Sequence, residues 1–150
     1  MVDDFLGEWQ AWRQAREERL TAPHGFLSIT GLHWLGATPQ RIDGVPGDRP
    51  ADDAVGEVSF TVAGEPARLV AYDDDGGLWL VFADVTSGRA TYTAGRQLVA
   101  PPPSADGTVV LDFNRTTNLP CAYTEFTTCP VPLPQNRLTV AIEAGEKIPV

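Results

Sequence analysis

The sequence predicts a mainly β domain with a minor α part (α+β minor), a small barrel or sandwich of six to eight mostly antiparallel strands with one N-terminal amphipathic helix. Three observations carry that expectation. Phe5, Trp9, Trp12 and Leu20 fall on one helical stripe near the start. Between about residues 56 and 100 the apolar period changes to two. The runs in that stretch are separated by "AGE" and "DDDGG", which is hairpin chemistry.

The helix is expected over residues 4–20, with Asp3 or Asp4 as N-cap, Pro23 and Gly25 beyond its end, and Arg13, Glu17 and Glu18 on the polar face. "GFLSITGLHWL", from Gly25 to Leu35, reads as a strand followed by a turn or a single helical turn and contains His33. The stretch from Gly36 to Ala54 is rich in Pro, Gly and Asp without period and is expected to be a surface loop. "GEVSFTV", "PARLVAY", "GLWLVFADV" and "RATYTAGRQLVA" then form a four-stranded meander over residues 56–100. Asp73, Asp74 and Asp75 lack the alternating ligands and closing Glu of a calcium loop, and are expected at a solvated hairpin tip. After the stiff "PPPSADG" connection, "TVVLDF" and "RLTVAIEAG" read as further strands within a closing region, residues 107–150. A single domain over 1–150 is expected, since no repeat or composition boundary interrupts the chain.

Composition narrows the function classes. A net charge of −9 opposes polyphosphate backbones and anionic membrane surfaces, so neither nucleic acid nor membrane is an expected partner. No apolar run approaches the roughly 20 residues that cross a bilayer. The acidic start "MVDDFLGEWQ" does not read as a secretory signal, which places the expected location in the cytoplasm. In that setting Cys121 and Cys129 are expected to be thiols, with a disulfide, a zinc site and a reactive thiol as alternatives. A four-ligand zinc site would need His24 and His33 from the other end of the chain, and the cysteine spacing is wider than the usual pair. No metal and no resident cofactor is expected, flavin and zinc being the alternatives considered.

Residues that carry chemistry concentrate in "DFNRTTNLPCAYTEFTTCPVPLPQNRL", Asp112 to Leu138, which holds two carboxylates, two arginines, three asparagines, both cysteines and four prolines. Arg96, Arg115 and Arg137 present planar forks suited to a carboxylate or phosphate. Asp112 and Asn114 alternate onto one face if the preceding strand persists, while Asn118 and Asn136 flank the proline-rich loop. Two ion pairs, Asp84 with Arg96 and Asp112 with Arg115, are within reach of this pattern, and either must be well hydrogen-bonded if buried. Catalytic candidates are Asp112, Cys121, His33 and Glu146, the last as a general base or as a partner for Arg137. Common hydrolase, metalloprotease, nucleotide and dinucleotide motifs are missing.

"SITGLHWLG", "DVTSGRATYTAGRQL", "LDFNR", "NLPCAYTEFTTCPVPLPQNRL" and "AGEK" occur in that order between about residue 12 and Lys147. Together they resemble the signature blocks of a bacterial and archaeal family, domain of unknown function 1684. The resemblance groups these segments and implies no substrate. The chain departs from the family's "AYNPPCA"-like string at Thr116 to Ala122 and is a short form between the tryptophan block and the "TSG" block. The residues support three readings: a domain that binds a small ligand, with an acidic group in one version, near residues 112–146; a small enzyme with an Asp/Glu or Cys/His pair there; and a structural or protein-interaction domain. Oligomeric state is not specified by the sequence.

Overall fold

The computed structural model describes residues 2–22, 54–127 and 129–149. The chain divides into two compact units, Met1–Pro46 and Gly47–Val150. In the first, helix α1 runs from Val2 to Thr21. It begins two residues before the expected start, so Asp3 and Asp4 lie in its first turn instead of capping it. Trp9, Trp12, Arg16 and Leu20 are its half-buried positions, close to the expected stripe, whereas Phe5 is 49% exposed. On the outer side Arg13 pairs with Glu17 at 2.9 Å and lies over the Trp9 ring at 5.6 Å. The predicted strand around His33, the loop after it and His24 lie outside the described residues.

In the second unit a five-stranded antiparallel sheet follows chain order: β1 Ala54–Val62, β2 Glu65–Asp74, β3 Gly77–Phe82, β4 Arg96–Ala100 and β5 Thr117–Asn118. The mainly β class with its N-terminal helix therefore holds. The sheet is open, not a closed barrel, and has five strands among the described residues. The first two connections are two-residue turns, Ala63–Gly64 and Asp75–Gly76, with positive φ at both central positions. That geometry matches the right-handed twist of paired strands. The Asp73 carboxylate accepts the Gly76 N–H at 3.3 Å, so the acidic tip is a turn device.

β3 is buried along its whole length, and its alternation builds two cores. Leu78, Leu80 and Phe82 face one side with Ala67, Leu69, Ala71, Leu98 and Ala100. Trp79 and Val81 face the other with Tyr72 and Leu119. The first face is closed by Val109, Leu111 and Phe113 and by Leu138, Val140 and Ile142. Phe113 meets Phe60 at 5.5 Å and the edge of Phe82 at 5.8 Å. The second face is covered by the loop that carries both cysteines.

Three expected strands are shortened or replaced. The "RATYTAGRQLVA" run is a strand only from Arg96 to Ala100, because Thr86 draws the preceding segment into a turn: its carbonyl accepts from the N–H groups of Arg89, Ala90 and Thr91. The "TVVLDF" run ends in a 3-10 turn, Phe113–Arg115, whose cap is Asp112. "RLTVAIEAG" makes one isolated bridge, Ala83 with Arg137, and no ladder.

The exposed turn at Ser104 to Thr108 supports a simple titration prediction. Hydrogen bonds from Ser104 and Thr108, side chain first and backbone after, pull the Asp106 carboxyl down to about 2. A depressed carboxylate contributes stability that is complete above its unfolded-state pKa and is lost as pH falls through the folded one. This contribution should thus disappear between about pH 4 and pH 2. Carbon-detected NMR should place the Asp106 midpoint near the lower end, and Ser104→Ala should move it towards the ordinary carboxylate value. An unchanged midpoint in the variant would refute the account.

Candidate functional site

The first buried polar centre is built on Arg96. The residue opens β4 opposite Phe82, on the face of the first core, and its guanidinium lies 5.6 Å from the Phe82 ring centre. It donates to Asp84 Oδ2 at 2.9 Å, to the carbonyls of Ile142 at 2.7 Å and Ala144 at 2.6 Å, and to that of Glu146 at 3.2 Å. Arg96 and Asp84 side chains are 1% and 0% exposed. Burial lowers the Arg96 pKa, opposed first by the hydrogen bond to Asp84 and then by the charges of Asp84 and Glu146. Asp84 is fixed in turn by the Thr86 N–H at 2.6 Å. The fork that suits a ligand carboxylate is here occupied by the protein's own acid and backbone.

Glu146 and Asn118 extend this centre. Glu146 Oε2 accepts the Asn118 N–H at 2.7 Å and the Tyr123 hydroxyl at 2.8 Å. The Asn118 amide donates to the Lys147 carbonyl at 2.7 Å, and Asn118 pairs with Arg96 across β4 and β5. Its Oδ1 and the Thr116 hydroxyl are buried without a hydrogen-bond partner. The "AGEK" segment reaches this position through Gly145, whose φ is +83° and where a Cβ would sit 2.7 Å from Thr116 Cβ and 2.8 Å from the Thr116 carbonyl. A side chain there would meet both a left-handed backbone and a wall of main chain.

Asn136 has a separate task. β2 and β3 pair only from Tyr72 with Trp79 outwards to the turn, and Asn136 spans the gap behind that pair. Its amide donates to the carbonyls of Val70 at 2.9 Å and Val81 at 2.8 Å, while Oδ1 accepts the Val70 N–H at 2.8 Å. The side chain thus replaces missing rungs of the ladder.

The remaining predicted residues stand apart. Asp112 Oδ1 accepts the Asn114 N–H at 3.1 Å and its side-chain amide at 3.0 Å, and Oδ2 lies 3.2 Å from Arg115 Nε. Both ion pairs anticipated from the sequence therefore form, one buried and one half-buried. Arg137 is exposed beside its bridge to Ala83. His33 lies outside the described residues.

Cys121 and Cys129 form a disulfide, with Cα atoms 5.9 Å apart, which corrects the expectation of two thiols. The physical reason is proximity: the 3-10 turn at Pro120–Ala122 and the return of the chain at Pro130 bring both cysteines onto the second core. While the bond stands, neither sulfur is a nucleophile.

Around this disulfide lies the concavity that belongs to the signature loop. An open groove of about 650 Å³ is lined by Tyr92 and by residues 121–127, including Tyr123, Glu125 and Phe126. The Tyr92 hydroxyl donates to the Cys121 carbonyl at 2.7 Å, and Tyr123 is anchored on Glu146. Phe126 is 64% exposed at its edge. Sequence reasoning passed over Tyr92, Tyr123 and Phe126 because isolated aromatics in a loop look like packing residues. The signal available was two tyrosines within segments already marked by polar and cysteine-rich composition. A smaller cleft of about 170 Å³ lies on the second face between Tyr72, Trp79, Pro130, Val131 and Leu133. Among the described residues no group of three or more His, Cys, Asp or Glu side chains could hold a metal ion, and no helix is long and apolar enough to cross a membrane.

The second unit is thus an open antiparallel meander onto which the later loops are held by a buried arginine, two asparagines and a disulfide. The family described as "Protein of unknown function (DUF1684)" matches residues 36–147, and the chain belongs to it. It is similar to an uncharacterized protein of Haloarcula marismortui whose solution structure was determined by NMR: identity is 26%, the TM-score 0.65, and the match covers 97% of this chain and 95% of that one. No curated protein matches the chain.

Proposed function

We propose that the domain binds a small ring-bearing ligand, neutral or cationic, in the groove between Tyr92 and residues 121–127. The observation that carries this reading is preorganisation. Both tyrosine hydroxyls are fixed by hydrogen bonds, and the loop that presents Tyr123 and Phe126 is closed by a disulfide. Aromatic walls that are ordered before binding lose little entropy when a ligand arrives. The charge of the ligand follows from the lining, which contains Glu125 and neither arginine nor lysine, with Glu146 behind Tyr123. The version with an acidic ligand has less support, since Arg96 is enclosed by its own partners and Arg115 and Arg137 do not line the groove.

A screen of aryl amines, aryl amides and aryl carboxylates by amide NMR tests this reading. Aryl amines or amides should shift the resonances of Tyr123 to Thr127. Phe126→Ala should weaken that binding about tenfold, with a melting temperature within a few degrees of the parent, because the ring is mostly exposed. Shifts confined to Tyr72, Trp79 and Val131 would move the site to the smaller cleft, and selective binding of carboxylates would overturn the charge argument. A second reading, an enzyme, is favoured by one feature: the Tyr123 hydroxyl donates a hydrogen bond to the Glu146 carboxylate beside the groove, an arrangement suited to acid–base work. Conversion of a bound compound, abolished in Tyr123→Phe while binding persists, would support it.

A further inference from the structure

We propose that the Cys121–Cys129 bond is a thiol-exchange site, opened by a low-molecular-weight thiolate that attacks the Cys121 sulfur from the groove and becomes linked to it. The two ends of the disulfide differ in what surrounds them. Cys121 lines the groove and Cys129 does not. The Cys121 backbone N–H donates to Cys129 Sγ at 3.0 Å. A donor aimed at one sulfur favours that sulfur as the thiolate that leaves, because the hydrogen bond strengthens as negative charge develops on it.

The step is balanced without any further reactant. The incoming thiolate forms a sulfur–sulfur bond with Cys121, the bond between Cys121 and Cys129 breaks, and its electron pair stays on Cys129 as thiolate. The donor that stabilises this product keeps its place, since the Cys121 carbonyl is held by the Tyr92 hydroxyl at 2.7 Å and the chain beyond Cys129 is fixed at the buried Pro130. A second thiolate can then attack the sulfur of the first, forming the small disulfide and expelling Cys121 as a thiolate, which leaves both cysteines reduced. The proposal uses the groove of the proposed ligand site as an entry path and does not require that it hold a ligand reversibly.

The test is a brief exposure of the intact native chain to reduced glutathione, quenching with excess N-ethylmaleimide near neutral pH, and peptide mapping by mass spectrometry. Glutathione should be found on Cys121 and maleimide on Cys129, in roughly tenfold excess over the reverse arrangement, the discrimination of one hydrogen bond to a charged group. An even split, or glutathione on Cys129, would overturn the assignment. So would a bond that exchanges only in urea at concentrations that unfold the chain, or cysteines that take maleimide before any thiol is added. Failure of the ligand screen leaves these outcomes untouched, and an even split leaves the screen untouched.

Discussion

Arg96→Met is expected to lower the melting temperature by about 10–20 °C, the fall that accompanies a loss of about 3–5 kcal/mol in a domain of this size. The substituted side chain fills most of the volume, so the cost is chiefly electrostatic and polar. Asp84 would keep only the Thr86 N–H and its own turn, and the carbonyls of Ile142, Ala144 and Glu146 would lose their common donor. A charge left buried without its partner is far more costly than a pair replaced as a whole. The double variant Asp84→Leu with Arg96→Met should accordingly recover part of the loss. Circular dichroism melts of the two variants measure this, and a single variant within about 2 °C of the parent would refute the account.

Asn136→Ala is the second large effect, expected to cost about 3–5 kcal/mol in urea denaturation. Three main-chain groups, the N–H and carbonyl of Val70 and the carbonyl of Val81, depend on this side chain, and Val81 belongs to a strand buried on both faces. Asn136→Asp keeps the shape and removes both donors, turning an amide that satisfies two carbonyls into a carboxylate that faces them. It should be at least as damaging. Hydrogen exchange at the Val70 amide gives a local readout, because that N–H should lose protection in Asn136→Ala before the rest of β2 does. Protection equal to that of the parent would sink the idea that Asn136 completes the ladder.

What could be read from the sequence follows from what periodicity measures. The hairpin turns and the first three strands were legible because alternation, turn residues and pairing coincide there. In "TVVLDF" the alternation is also genuine: Val109, Leu111 and Phe113 pack on the first core and Val110 is 72% exposed. "RLTVAIEAG" behaves alike, with Leu138 and Ile142 buried and Thr139 and Ala141 exposed. Neither segment joins the sheet. Alternation reports which way side chains point and is silent on where the backbone finds its hydrogen bonds, and in the last segment carbonyls are taken by Arg96. The same silence hid Asn136, whose role depends on a gap between two strands far earlier in the chain. The paired cysteines were missed because compartment, not geometry, governed the expectation. Both aspartate–arginine pairs were legible from charge and proximity alone, but not which of them would be buried.

The sheet order, with each strand beside its sequence neighbour, has a consequence for how the chain acquires its structure. The β1–β2, β2–β3 and β3–β4 pairings close loops that are short in sequence, so they incur little entropy of closure and can zip in succession. The contacts of residues 136–147 are different. Asn136 reaches back 66 residues to Val70, and the carbonyl of Glu146 reaches back 50 to Arg96. Such long-range ties belong to the late side of a folding barrier, and substitutions in them should act mainly on the unfolding rate. The groove, whose Tyr123 wall leans on Glu146, is then the last part of the domain to be completed and the first to be lost.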